Sequence, residues 1–515
     1  MRRVRESRGA AAGARTAGRT GRGPGRRRWA ELRSGLERLL GRDAVYADEV
    51  DRLAYAVDYF WVPRMLLDRN APLSVPDVVV LPRTVQQVSS VVRFAAEHDV
   101  PVIPWGGGSG SQGGIVPVCG GITLDLKRLD RIIELSEGSQ TVAAEAGISG
   151  YDLECWLNRR GYTLPHYPAS VHSATLGGYL ACRGSGVLST RYGKAEDMVL
   201  AVQVVLPNGD VIRTLPFPNH AAGPGLLQLF VGSEGTYGII TEAVMQVERL
   251  PAERRFASFL FGSLAAGLEA GRRMMLERIG PSVIRLYDEP STRSRLNRIL
   301  GFSLEGAFMI VGTEGEPEIV DTQEKRIREI CRRLGGQELS SDLGWEWWNN
   351  RYNFYFPPGC LDFPWMFGTM DSLCSFENVE KLYRTKKAIV EERYSRWNLR
   401  YIAHFSHWYP WGVMIYDRFI IEDPPQGAEE ALALHDEIWN LGVRTSLECG
   451  GILNEHHGVG LKLSRLMREQ YGSAFQVLEG VKNALDRRGV LNPGKLGFGD
   501  TGRARLGTAR DMRGR

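Results

Sequence analysis

The chain has 515 residues, a formal net charge of +4, 43% hydrophobic residues and 24% charged ones. That length suits two or three domains, the composition is that of a globular protein, and no run approaches the roughly 18 apolar residues of a membrane span. Seven cysteines without a C-x-x-C pair argue against a disulfide framework and for a reducing compartment, so a cytoplasmic protein is expected.

Residues 1–28 hold ten arginines against one acid, Glu6, among glycine and alanine. This predicts a disordered Arg-rich tail with no apolar core for a secretory signal. Residues 501–515 form a second basic tail, with five arginines and Asp511. The two tails together carry +13, which leaves residues 29–500 at −9. An arginine tail attracts nucleic acid or anionic lipid. The acidic body speaks against a nucleic-acid partner, and peripheral membrane contact stays open.

The body begins near Trp29, and residues 29–57 are predicted helical. Pro76-Asp-Val-Val-Val-Leu-Pro82 reads as a short buried strand closed by prolines. A helix follows, with Thr84 as its N-cap and apolar residues at helical spacing. Val100–Trp105 is the next strand, so the opening is α+β or α/β.

Pro104-Trp-Gly-Gly-Gly-Ser-Gly-Ser-Gln-Gly-Gly114 follows that strand. It contains a formal G-x-G-x-x-G, but a dinucleotide fingerprint opens a helix. Here Ile115-Val-Pro-Val-Cys-Gly-Gly121 forbids one. The expected structure is a non-helical loop whose backbone N–H groups face an anion. Two later stretches share its character: Pro168–Ala181 running into Gly184-Ser-Gly186, and Gly232-Ser-Glu-Gly-Thr-Tyr-Gly-Ile-Ile-Thr241. Three such segments suit an extended, diphosphate-bearing ligand.

The order of these segments, with T-L-G-G, G-S-E-G-T-x-G-I-I-T and a late L-N-P-G-K, resembles the PCMH-type flavoprotein family that includes vanillyl-alcohol oxidase and p-cresol methylhydroxylase. Within it the likeness is to the alkyl-dihydroxyacetonephosphate synthases, over roughly residues 40–498. The resemblance implies an α+β fold: an FAD-binding domain of two α/β subdomains over residues 29–252, and a substrate or cap domain on an antiparallel sheet over 253–445. A C-terminal segment, 446–500, would return to the flavin domain. It implies FAD as cofactor, contacted by Pro104, Trp105, Gly106, Gly107, Gly108, Ser109 and Gly110. Further contacts would come from Ala169, Ser170, Ser173, Thr175, Cys182, Ser185, Glu234, Gly235, Thr236, Gly238 and Ile240.

The same resemblance assigns catalysis to Tyr416, His456, His457 and Arg285, and substrate binding to Arg285 and Arg351. Read alone, these residues are ambiguous. Tyr416 sits on an apolar strand and suits a core. An adjacent histidine pair before Gly458 suits proton transfer near neutral pH, or one core and one surface residue. Arg285 lies in a buried-looking run and needs an anion, either an internal carboxylate or a small anionic substrate. His404-Phe-Ser-His407 and Glu455 hint at a metal, but the H-x-x-G-D-G-N stretch of the relatives that oxidise D-2-hydroxy acids is absent and no metal is expected. The aromatic run Gly344–Phe356 is read as packing. The leading expectation is acyl-to-alkyl exchange on a phosphorylated ketone without net redox, as in ether-lipid synthesis. The rival, supported by Glu455, is an oxidoreductase that dehydrogenates a 2-hydroxy acid or alcohol by hydride transfer to flavin N5. A homodimer stays open.

Overall fold

The computed structural model describes residues 26–297, 301, 303–353, 355 and 361–499. The basic tail 501–515 and nearly all of the Arg-rich tail lie outside them.

Residues 29–57 do not form the single helical stretch expected. Helix α1 (Arg26–Leu40) stops where Gly41 takes φ 89°, a conformation that favours glycine, with its N–H on the Glu37 carbonyl at 2.9 Å. Strand β1 (Val45–Tyr46) and helix α2 (Glu49–Ala54) follow. Strand β2 (Val78–Val80) is buried at all three valines, as the proline-bounded run implied. In helix α3 (Val85–Glu97) the Thr84 hydroxyl accepts from the Gln87 N–H at 3.2 Å, and Val88, Val91, Val92 and Ala95 form the buried stripe. Strands β3 (Val102–Trp105) and β4 (Ile122–Asp125) complete a sheet of order β1-β2-β4-β3, parallel except at β1. No helix intervenes between β3 and β4, so the glycine-rich stretch is a loop and not a dinucleotide fingerprint.

A second, antiparallel sheet contains β5 (Ile132–Ser136), β6 (Thr141–Glu145), β7 (Val199–Val205), β8 (Val211–Arg213) and β9 (Ile239–Gln246), in order β5-β6-β9-β7-β8. Seven strands make a third: β10 (Glu253–Phe261), β11 (Val283–Tyr287), β12 (Ala307–Gly315), β13 (Gln337–Leu339), β14 (Met366–Ser375), β15 (Arg400–Tyr409) and β16 (Gly412–Ile421). Their order is β13-β10-β12-β11-β15-β16-β14, antiparallel throughout.

Alternation along these strands separates two faces. Leu286, Phe405, Ile415 and Phe419 are fully buried on one. Helices pack there: Gly267 of helix Leu264–Leu276 abuts Leu286, and Tyr383 of helix Val379–Arg393 meets Phe405 with ring centroids 5.8 Å apart. The other face looks toward the first two sheets and carries the polar residues described below.

The chain end returns to the first sheet. Val102 donates to the Val490 carbonyl and accepts from the Asn492 N–H, each at 2.9 Å. Lys495 Nζ reaches the Val116 carbonyl at 2.7 Å.

Candidate functional site

A cavity of about 300 Å³ lies between the glycine-rich loop and the polar face of the third sheet. Of the eighteen residues expected to contact the cofactor, sixteen line it, from Pro104–Gly110 through Ala169, Ser170, Thr175, Cys182 and Ser185 to Glu234, Gly235, Gly238 and Ile240. Ser173 and Thr236 do not. Ser173 spends its hydroxyl on the Ser170 carbonyl at 3.2 Å, and Thr236 is buried with its own on the Ser233 carbonyl at 2.7 Å.

The loops interlock through absent side chains. A Cβ on Gly107 would sit 1.6 Å from the Ser173 carbonyl oxygen, and one on Gly106 would sit 2.4 Å from the Thr175 hydroxyl. Ser173 therefore fixes the loop through its backbone. Glu234 also serves structure. Its carboxylate accepts from the Val459 N–H and, at 2.8 Å, from the Gly460 N–H, tying the third loop to the histidine turn. Burial pushes this carboxyl up to about 7 against those two donors. Burial likewise pushes the Cys182 thiol up to about 12, so it stays protonated.

The third sheet supplies the opposite wall. Arg285 and Tyr287 of β11, His404 and Ser406 of β15, Met414, Tyr416 and Arg418 of β16 and Thr369 of β14 all face the cavity. His404, Tyr416 and Asp371 are cross-strand neighbours, and the His404 and Tyr416 rings stack with centroids 4.6 Å apart. The intervening Asp417 points to the helical face, where it is fully buried 2.9 Å from Lys386 Nζ.

Asp371 anchors the Asn454–Gly460 turn. Its carboxylate accepts from the Asn454 side chain at 3.0 Å, the Glu455 N–H at 2.7 Å, the His456 N–H at 3.0 Å and His457 Nδ1 at 2.6 Å. Burial would raise this carboxyl, but the two histidines hold it well below the usual range.

Glu455 is buried beneath the pair. It accepts from Ser185 Oγ at 3.0 Å, from the Tyr409 hydroxyl and from His407 Nδ1 at 2.9 Å. Lys194 Nζ lies 3.5 Å away, and His456 Nδ1 lies 2.8 Å away. His407 reaches Glu455 because a bulge interrupts the β15–β16 register between Ser406 and Trp408, with His407 at φ 51°. The consequences differ for the two imidazoles. Burial holds His407 down at about 4, hence neutral. Burial also opposes charge on His456, but Asp371 and Glu455 outweigh it and raise His456 to about 9. His457 is lowered by burial, with Asp371 opposing. Ligand-type atoms of His407, Glu455 and His456 lie within 4.8 Å of one another, as do those of Asp371, His456 and His457. Either trio could accept a cation, which bears on the sequence expectation of no metal.

Arg285 and Arg351 both line the cavity. Arg351 lies against Trp348 and Tyr352, its guanidinium carbon 4.0 and 4.4 Å from their ring centroids, and donates to the Trp348 carbonyl at 2.6 Å. Arg285 sits 5.6 Å from the Trp347 centroid. Among the described residues neither has a carboxylate partner, and each keeps a buried Nε without an acceptor. The aromatic run thus does more than pack: it seats Arg351, and Tyr355 donates to the Ser109 carbonyl in the glycine loop at 3.0 Å. Phe354 and Phe356 of that run lie outside the described residues.

Sequence reasoning missed Asp371, Lys194, Tyr409 and Arg418. Only Arg418 had a local signal, two residues beyond Tyr416 on one strand.

Residues 76–215 match the family model of an FAD binding domain, and residues 250–496 match that of the C-terminal domain of FAD linked oxidases. The chain belongs to the FAD-linked oxidase family, with a PCMH-type fold, and FAD is its cofactor. It is 30% identical over 453 residues to an alkyldihydroxyacetonephosphate synthase from Dictyostelium discoideum, covering 82% of this chain and 73% of that one. It is 29% identical over 436 residues to the mitochondrial D-lactate dehydrogenase (cytochrome) of Arabidopsis thaliana, covering 82% and 74%. A solved alkyldihydroxyacetonephosphate synthase matches with a TM-score of 0.77 at 26% identity, covering 90% of this chain and 86% of that one. p-Cresol methylhydroxylase with substrate bound matches at 0.75 and 19%, covering 92% and 98%, a likeness of fold.

The residues present fit FAD. The loop at 106–110 has no side chain beyond Ser109 to fill the space beside its backbone, and among the described residues the buried Ser111 hydroxyl and Gln112 amide at the cavity wall have no hydrogen-bond partner. Asn492 ties the chain end to the Gly114 and Glu234 carbonyls at 3.0 and 2.7 Å, which closes the flavin domain around that wall.

Proposed function

We propose that the protein is a flavoenzyme of the alkyldihydroxyacetonephosphate synthase kind, exchanging an acyl for an alkyl group on a phosphorylated ketone without net redox. The observation that carries this is the convergence of Arg285, Arg351, Tyr416, His456 and His457 on the same cavity that the glycine-rich loops line. Arginines that find no carboxylate among the described residues suit a small dianion such as a phosphate ester. In this reading Tyr416 removes a substrate C–H proton, and His456 and His457 exchange protons with the departing acid and the entering alcohol. When bound, FAD supplies the electron-accepting centre for this chemistry. Pro104–Gly110 would hold its pyrophosphate on backbone N–H groups.

The likeness to D-lactate dehydrogenase keeps a second reading, dehydrogenation of a 2-hydroxy acid. The trio His407, Glu455 and His456 favours it, since a cation there would bind a hydroxy acid.

The test is product analysis. Purified holoprotein is incubated with an acylated ketone phosphate and a long-chain alcohol, and organic products are followed by mass spectrometry. Equal amounts of free fatty acid and ether-linked ketone phosphate are expected. Oxidised hydroxy acid in a parallel incubation, with no ether product, overturns the proposal.

A further inference from the structure

Arg418 lies two residues beyond Tyr416 on β16, and it lines the same cavity. Other arginines of this sheet are paired: Arg254 of β10 with Glu314 at 2.6 Å, and Arg400 of β15 with Glu422 at 2.5 Å. Arg418 differs. Among the described residues no carboxylate pairs with it, its Nη2 donates to the Tyr416 hydroxyl at 3.0 Å, and its buried Nε has no hydrogen-bond partner. A guanidinium carries donors only and stays charged at any working pH. A buried donor without an acceptor is costly, so this one suits an acceptor that arrives with a ligand.

The register of the sheet separates Arg418 from the other two arginines of the cavity. Tyr287, His404, Tyr416 and Asp371 form one row across β11, β15, β16 and β14. Arg285 precedes that row by two residues on β11, and Arg418 follows it by two residues on β16. These two strands run in the same direction, because each is antiparallel to β15. The two arginines therefore leave the sheet on opposite sides of the row, with Cα atoms about 16 Å apart by the usual rise and strand spacing. Arg285 and Arg351 lie against adjacent indoles, those of Trp347 and Trp348, at 5.6 and 4.0 Å from the ring centroids. They share one end of the cavity. Arg418 stands toward the other, flanked across the strands by Thr369 and Ile402, which also line the cavity.

We infer that Arg418 forms a second anion subsite, which binds a monocarboxylate: the fatty acid released in the exchange. The identity of that acid rests on the proposed function, whereas the carboxylate subsite does not. A phosphate ester held by Arg285 and Arg351 leaves Arg418 for the other acidic group of the reaction. A fatty acid is ionised at neutral pH, and a guanidinium matches a carboxylate through parallel N–H···O bonds, of which the unpartnered Nε supplies one. Thr369 offers a neutral hydroxyl beside it. Ile402 offers the apolar surface that the first carbons of an acyl chain need.

The test is direct binding to the oxidised holoenzyme, measured by calorimetric titration. The probes are a long-chain fatty acid, the fatty alcohol of equal length, inorganic phosphate and D-lactate. Arg418→Gln should weaken fatty-acid binding by about tenfold or more, while FAD content and the affinities for alcohol and phosphate stay as in wild type. Arg418→Lys, which keeps the charge and loses the planar fork, should fall between. Arg285→Gln should weaken phosphate and spare the fatty acid. If Arg418→Gln loses FAD, Arg418→Lys carries the comparison. Loss of FAD in both would put the guanidinium on the cofactor and overturn the inference. Absence of fatty-acid binding by wild type, an unchanged fatty-acid affinity in an Arg418 variant that retains FAD, or an equal loss for acid and alcohol would also overturn it. If Arg418→Gln instead weakens D-lactate and leaves the fatty acid unaffected, the carboxylate subsite stands and the proposed exchange falls.

Discussion

Arg285 reaches the cavity from a β11 face whose other members are neutral, and lysine there would keep the charge but lose the planar fork. Arg285→Lys is expected to lower kcat/KM by more than about tenfold while the flavin spectrum keeps its full FAD content. Loss of FAD along with activity would instead mark Arg285 as structural. Glu455 presents a different kind of dependence. Its carboxylate is buried among Ser185, Tyr409, His407, His456 and Lys194. Glu455→Gln leaves buried cations without their counter-charge and should cost about 3–5 kcal/mol of stability, measurable by denaturant titration. His456 makes stability depend on pH. Its folded-state value of about 9 lies above the ordinary 6.5, because Asp371 and Glu455 outweigh burial. Its contribution is full below pH 6.5 and is lost as pH rises through about 9. His456→Asn should flatten that alkaline decline in Tm, and an unchanged slope would show that the charge on His456 does not matter.

At the scale of elements, the first glycine-rich loop was readable in the sequence because proline and paired glycines exclude a helix after it, whereas Leu176–Ala181 of the second stretch forms a short helix capped by Thr175; the structure brings sixteen of the eighteen expected cofactor contacts to one cavity. What holds the loops together was not readable. Gly107 was expected only as one of the loop residues that contact FAD. The immediate reason for a glycine there is the Ser173 carbonyl, 1.6 Å from where a Cβ would stand. Gly107→Val should therefore displace the 168–175 segment as well as weaken FAD, giving a colourless protein with a lowered Tm. A yellow protein of normal Tm would contradict the interlock. The helical reading of 29–57 failed because Gly41 ends the first helix and two valine-rich strands then pair across Val45–Val80. His407 was seen as half of an H-x-x-H pair, but its partner comes from a bulge that redirects it to Glu455, away from His404. A bulge and a cross-strand neighbour such as Asp371 are tertiary facts, invisible to local pattern.

At the scale of the whole molecule, two sheets form a floor of glycine-rich loops, a third forms a polar ceiling, and the 454–492 segment joins them through Asp371, Glu234 and Val102. The family pattern in the sequence anticipated this fold. It could not decide between redox-neutral exchange and hydroxy-acid oxidation, because a synthase and a D-lactate dehydrogenase match the chain at 30% and 29% identity. Among the described residues no helix is long and apolar enough to cross a membrane. The measurement that separates the chemistries is anaerobic mixing of the holoenzyme with an acylated ketone phosphate or with a D-2-hydroxy acid while the flavin absorbance is followed. We expect the ketone phosphate to perturb the flavin band and release fatty acid, with the oxidised spectrum returning when alcohol is added and no external acceptor present. Stoichiometric, lasting reduction by the hydroxy acid, with no response to the ketone phosphate, would contradict the proposed exchange.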